Sequence, residues 1–251
     1  MSRVSTSTLA LCAGLVASLN VSALPINSTA YASLTGTQLI TFDDVAGGGA
    51  PGTNYDAIFE SGNTAIGEHF VGQTVGVNGD FDTLAGAPTA PLKLAVGAAG
   101  QNLNVFTNGS SQVLTGLGPK GFPDFNAIGE GAFAVLFDFD QSEFGFQLVG
   151  GNGGNGFVSF FRRNGTLIDS LTIASLADDF YGFTRDGGVK DIAGVSIYND
   201  DSAGVGFDNL KFDVAGVIGD PNNAVPEPTS LALAGLGLFG LGLSRRRLRF
   251  T

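Results

Sequence analysis

The chain has 251 residues, 12 Lys plus Arg, 23 Asp plus Glu and a formal net charge of -11. Its single His and single Cys exclude a Cys/His zinc site, and its acidity opposes binding to nucleic acid, whose phosphates it would repel. Hydrophobic residues at 43% supply a sizeable core, while charged residues at 14% fall well under the roughly 25% of an average globular chain.

The N-terminus reads as a secretory signal. Arg3 supplies a positive start, Leu9 to Leu19 an apolar stretch, and Val21-Ser22-Ala23 the small residues that signal peptidase inspects. Cleavage is expected after Ala23, following passage through the Sec machinery. Leu11 before Cys12 does not fit a lipoprotein signal, and Cys12 then leaves with the signal, so the mature chain is expected to lack cysteine.

Residues 24–214 read as one β-rich body. No helical period of any length appears there, whereas period-two runs do. Phe133, Val135, Phe137 and Phe139 alternate with Ala134, Leu136, Asp138 and Asp140. Phe144 to Leu148, Phe157 to Phe161, Leu167 to Ile173 and Val195 to Ile197 read as further strands, separated by Gly/Asn/Asp clusters. Asn164-Gly165 signals a hairpin turn. A short helix over Leu167 to Ala177 is an alternative for that stretch. Residues 46–53 read as loop. Short strands at this spacing predict an all-β, jelly-roll-type sandwich.

Strand parity brings out one constellation. Ile40 and Phe42 share a face, with Asp44 one step further on; Leu210, Phe212 and Val214 share a face that Asp208 begins. Antiparallel pairing of these first and last strands would bring Asp44 and Asp208 together. Two carboxylates losing water want a counter-cation, and oxygen ligands suit a structural calcium, with Asp43 and carbonyls near Asn199 to Asp201 completing it. The competing reading is that these acids cap turns through backbone hydrogen bonds.

Other candidates carry weaker signals. Gly150 to Val158 matches a calcium-binding nonapeptide with Asn155 in place of Asp, but a single copy reads as a hairpin loop. His69 has no evident catalytic partner. Glu60, Glu68, Glu130 and Glu143 offer carboxylates for a glycosidase, though nothing in the sequence pairs them. Tyr181 is the one candidate sugar platform, in a chain with no Trp and four Tyr. No repeated Thr rows suggest an ice-binding face.

The C-terminus follows residues 215–224, which read as a linker. Residues 225–251 hold Val225-Pro226-Glu227-Pro228, an apolar stretch Leu231 to Leu243, and Arg245, Arg246, Arg247 and Arg249. The prolines keep their segment extended for a protease cleft. The apolar stretch predicts a short transmembrane helix of about 13 residues, roughly 20 Å, short of the ~20 residues of a full span. The arginines would anchor it on the cytoplasmic side.

These three parts, in this order, resemble the PEP-CTERM sorting signal of Gram-negative bacteria, a domain also labelled the ice-binding protein C-terminal domain. The resemblance implies recognition of Pro226, Glu227 and Pro228 by an exosortase. It also implies transient residence in the inner membrane and delivery to the cell surface or exopolysaccharide matrix. Ile40-Thr41-Phe42-Asp43-Asp44 and Gly206-Phe207-Asp208-Asn209-Leu210 make the body similar to galactose-binding-like cargo sandwiches of such proteins. The expected role is non-enzymatic, structural or binding, in association with exopolysaccharide. A carbohydrate-binding module is the alternative, and a secreted hydrolase the more distant one.

Overall fold

Alternating apolar residues along short strands can bury one face only by placing a second sheet against it. The computed structural model, which describes residues 25–213, realises that arrangement with two main antiparallel sheets. Outside those residues lie the signal segment with Ala23, the linker, the sorting residues Pro226, Glu227 and Pro228, and the arginines 245–247 and 249. Both expected terminal helices fall there too. Among the described residues the helical segments are single 3-10 turns, and none is long and apolar enough to cross a membrane.

The first sheet runs in the spatial order Ile26–Ala30, Ala177–Arg185, Glu143–Asn152, Gly206–Phe212, Ser111–Leu117, Leu103–Asn108, Thr53–Tyr55. Gln38–Ile40 and Ile128–Gly131 are paired at its side. The second sheet runs Leu167–Ile173, Gly156–Phe161, Ile192–Asn199, Phe133–Gln141, Thr64–Gly67, Phe59–Ser61. The chain crosses between sheets at Gln141–Glu143 and again on either side of Ile192–Asn199, so neither sheet could form alone in sequence order.

Phenylalanine joins the layers. Phe133 meets Phe207 with ring centroids 4.6 Å apart, Phe137 meets Phe212 at 5.2 Å, and Phe160 meets Phe183 at 5.4 Å. Each such ring removes about 150–250 Å² from water, which makes this interface the main source of stability. The alternation in Phe133–Gln141 is the predicted one: Phe133, Val135 and Phe137 are buried in the shared core, while Asp138 is exposed.

Leu167–Ile173 is a strand, not a helix. It pairs with Gly156–Phe161, and from Asp169 to Ile173 half-buried and exposed residues alternate with period two, while a register slip between Phe160 and Phe161 leaves Ile168 unpaired and buried in the core. The turn between these strands closes on Gly165 (φ 79°), whose N–H donates to the Arg162 carbonyl at 2.8 Å. Glycine thus ends the turn in the left-handed region, as a three-residue hairpin requires.

Candidate functional site

The strand holding Ile40 is the second of the described strands, after Ile26–Ala30, and it pairs antiparallel with the last, with Ile40 opposite Leu210 and Gln38 opposite Phe212. Two residues then break the parity on which the acid pair was predicted. Phe42 has φ 59° and Asn209 φ 49°, left-handed values that side chains rarely adopt. Asn209 is an extra residue in its strand: the register to Glu143–Asn152 slips between Gly145 and Gln147. Phe207, Leu210 and Phe212 therefore face the core, and Asp208 lies on the other side of the sheet. The bulge is held by its own side chain, whose Nδ2 donates to Gln147 Oε1 at 2.7 Å, and by the Tyr31 hydroxyl on its carbonyl at 2.8 Å.

Asp43, not Asp44, meets Asp208. The Ser111 hydroxyl lies 2.8 Å from Asp208 Oδ2 and 3.3 Å from Asp43 Oδ1. A hydroxyl has one proton, so the shorter contact takes it and Asp43 relies on the Gln112 N–H at 3.0 Å. Asp208 also accepts the Asn209 N–H at 2.6 Å and is only 3% exposed. Burial pushes its carboxyl above the usual range; the Ser111 and Asn209 bonds pull it back, and the Asp43 charge raises it. Asp44 is exposed, and no hydrogen bond joins it to this cluster. Both converging acids accept a backbone N–H, as turn caps do, and neither makes a salt bridge among the described residues.

Asn199 to Asp201 serves a different loop. Asp201, 0% exposed, accepts the N–H groups of Asn152 at 2.7 Å, Gly154 at 2.9 Å and Ala203 at 3.0 Å. Asp200 accepts the Asn155 N–H at 2.5 Å and its Nδ2 at 3.1 Å. Asp178 takes the N–H groups of Gly150 and Gly151. The glycine-rich segment is thus a ring of donors around three carboxylates. Asn155, the residue standing where a calcium ligand would be, donates instead of coordinating.

Of the remaining candidates, His69 and Glu68 meet and the others separate. His69 Nδ1 lies 2.7 Å from Glu68 Oε2. Glu143 binds the Thr35 hydroxyl and the Gly36 N–H, and Glu60 is exposed. Tyr181 packs 5.6 Å from Phe146 with its hydroxyl on the Ala177 carbonyl, so its ring is fixed rather than offered. Among the described residues no group of three His, Cys, Asp or Glu is placed to hold a metal.

Two further buried acids stand apart: Asp82, which carried no sequence signal of its own, and Glu130, one of the four candidate glutamates. Asp82, 3% exposed, accepts the Ala132 N–H at 3.2 Å and fastens the hairpin Thr74–Asn78/Phe81–Ala85 to the sandwich. Burial lifts its carboxyl to about 7; the Ala132 bond and His69 oppose this, and the Glu68 charge adds to it. Glu130, 6% exposed, has one carboxylate oxygen with no partner, and burial lifts it to about 8, helped by Asp80 and Asp201 and opposed by its own N–H and Lys120. Asn78-Gly79 ahead of Phe81-Asp82 was the available clue, since it marks a hairpin that places Asp82 opposite Val77.

Residues 224–247 match the PEP-CTERM protein-sorting motif. No curated protein and no solved structure matches the chain. The motif spans Pro226, Glu227, Pro228 and Arg245 to Arg247, and it indicates an exported protein, processed at the membrane and sorted by an exosortase.

Proposed function

We propose that the chain is a non-catalytic β-sandwich, delivered by this route to the cell surface or matrix and retained there in association with exopolysaccharide. The observation that carries the reading is the sorting motif placed after the described body. The acids of the body favour a structural role: Asp178, Asp200, Asp201, Asp208 and Glu143 all accept backbone N–H groups. Replacing Glu227 with Ala should leave export across the inner membrane intact and block processing, so that the longer form accumulates in membranes. Mature-size protein at normal levels in that variant would contradict the assignment.

A structural calcium at the junction of Gln38–Ile40 with the last strand is a second proposal. It is favoured by the convergence of Asp43 and Asp208 on one hydroxyl with no basic partner. Asp43 and Asp208 would be its carboxylate ligands, and its role would be to fasten the loop after Gln38–Ile40 to the last strand.

A further inference from the structure

The outer face of the second sheet carries a groove. Its floor is formed by Gly156–Phe161, Leu167–Ile173 and Ile192–Asn199. Val158, Phe160, Val195 and Ile197 enter the core, so their alternating neighbours stand on the opposite face. Register aligns these neighbours in rows across the three strands. Thr172, Phe157 and Tyr198 form one row, and Ser170, Ser159 and Ser196 the next. The Phe157 and Tyr198 rings stack, centroids 4.6 Å apart and planes 17° from parallel. Ser159 and Ser170 hydroxyls are 2.8 Å apart, and the Gln73 amide donates to Ser196 at 3.3 Å. Leu84 and Ala85, at the end of the docked hairpin, form the wall of a cleft of about 440 Å³.

The lining is informative in what it combines. In a chain of net charge -11, no acidic or basic side chain among the described residues lines this cleft. Its volume lies in the range of roughly 300–1,000 Å³ seen for small-ligand sites. An aromatic row beside a hydroxyl row matches a sugar ring, which has an apolar C–H face and a rim of hydroxyls. Serine and threonine hydroxyls donate and accept, as sugar hydroxyls do. An extended peptide fits less well. It gains affinity by pairing with an open strand edge, and this floor is a sheet face whose two inner strands are already paired on both sides.

We propose that this groove binds an uncharged polysaccharide, seating sugar rings against Phe157 and Tyr198 and hydrogen-bonding them through Ser159, Ser170 and Thr172. The inference deepens the matrix-association reading and rests on it only for the source of the polymer. Affinity electrophoresis of the full-length chain through gels containing β-glucan, galactomannan, dextran, polyanionic alginate or gelatin tests it. At least one neutral polymer should retard the chain, and alginate and gelatin should not. Tyr198→Ala and Ala85→Arg should each weaken retardation about tenfold, and Tyr198→Phe should stay within about threefold, because it keeps the ring. Ala85 is exposed at the rim, so its variant tests the groove even where Tyr198→Ala disturbs folding. The proposal is overturned by no retardation in any neutral polymer, by retardation in alginate or gelatin alone, or by retardation undiminished in Ala85→Arg. The gels read binding and not processing, so normal processing of Glu227→Ala would sink the sorting assignment and leave this test standing.

Discussion

Asp201 and Glu130 lie on either side of Gly204, close enough for the charge of one to act on the other. Both are buried, yet their surroundings differ. Three backbone N–H groups converge on Asp201, replacing the water it has lost. Glu130 keeps an oxygen with no partner, and its proton is held up to about 8. Burial alone therefore does not decide what an acid does in this protein. The number of donors aimed at it does, and for Asp201 two of the three come from a glycine-rich loop whose missing side chains let the backbone approach, the third from Ala203 in its own turn. Asp208 is the intermediate case, with one backbone N–H, a long contact from the Asn209 amide and a Ser111 hydroxyl for which a second acid competes.

The largest effect is expected where donors are most numerous. Asp201→Ala orphans three N–H groups and should cost roughly 3 kcal/mol in urea unfolding. Asp201→Asn keeps an acceptor and should cost about half. Equal, negligible losses would mean that the loop does not depend on this carboxylate.

Next comes the intermediate acid. A calcium ion bound by the folded state alone would stabilise it by about 2.7 kcal/mol at one hundred times its dissociation constant. That is a melting shift of roughly 5–10 °C. Asp208→Asn should abolish most of the shift while keeping the fold. A melting temperature indifferent to calcium and chelator would leave Asp43 and Asp208 as turn caps.

The unsatisfied acids should reveal themselves through pH. Asp82 and Glu130 titrate higher in the folded chain than their ordinary values of 3.8 and 4.5. Between about pH 4 and pH 8 the folded state therefore binds more protons than the unfolded one. Their contribution is fully present below that window and is lost as pH rises through it. Glu130→Gln removes the ionisation and should raise stability near pH 8 by about 1–2 kcal/mol, with little gain near pH 4. A uniform change at both pH values would show that Glu130 acts through packing instead. The smallest effect concerns the bulge: Asn209→Ala loses the bond to Gln147 and strains a left-handed residue, at a cost of about 1 kcal/mol. A neutral result would mean that the bulge is set by its neighbours.

Much of the architecture was legible in the sequence because period-two alternation and sheet burial are the same fact seen twice. Five of the seven described strands from Phe133 onward, those beginning at Phe133, Glu143, Gly156, Leu167 and Ile192, and the Asn164-Gly165 hairpin follow from it. The pairing of Gln38–Ile40 with the last strand was also legible, but Ile26–Ala30 ahead of it and the acid that reaches Asp208 were not. Parity counting assumes an unbroken strand, and left-handed Phe42 and bulged Asn209 each shift it by one residue. The groove was hidden for another reason. Phe157 and Tyr198 lie 41 positions apart, and only the pairing of their strands makes them neighbours. Glu130 was among the candidate glutamates, but nothing set it apart from the other three, because its distinguishing feature is a partner it lacks.

The central claim is that this sandwich is cargo, cut free at both ends. Intact-mass measurement of the chain recovered from the cell surface or culture medium tests it most directly. The account predicts a species that begins at Leu24, contains no thiol, and ends before the apolar stretch Leu231 to Leu243 and the arginines that follow. A surface or secreted chain that still carries Cys12, or still carries Arg245 to Arg249, would contradict it.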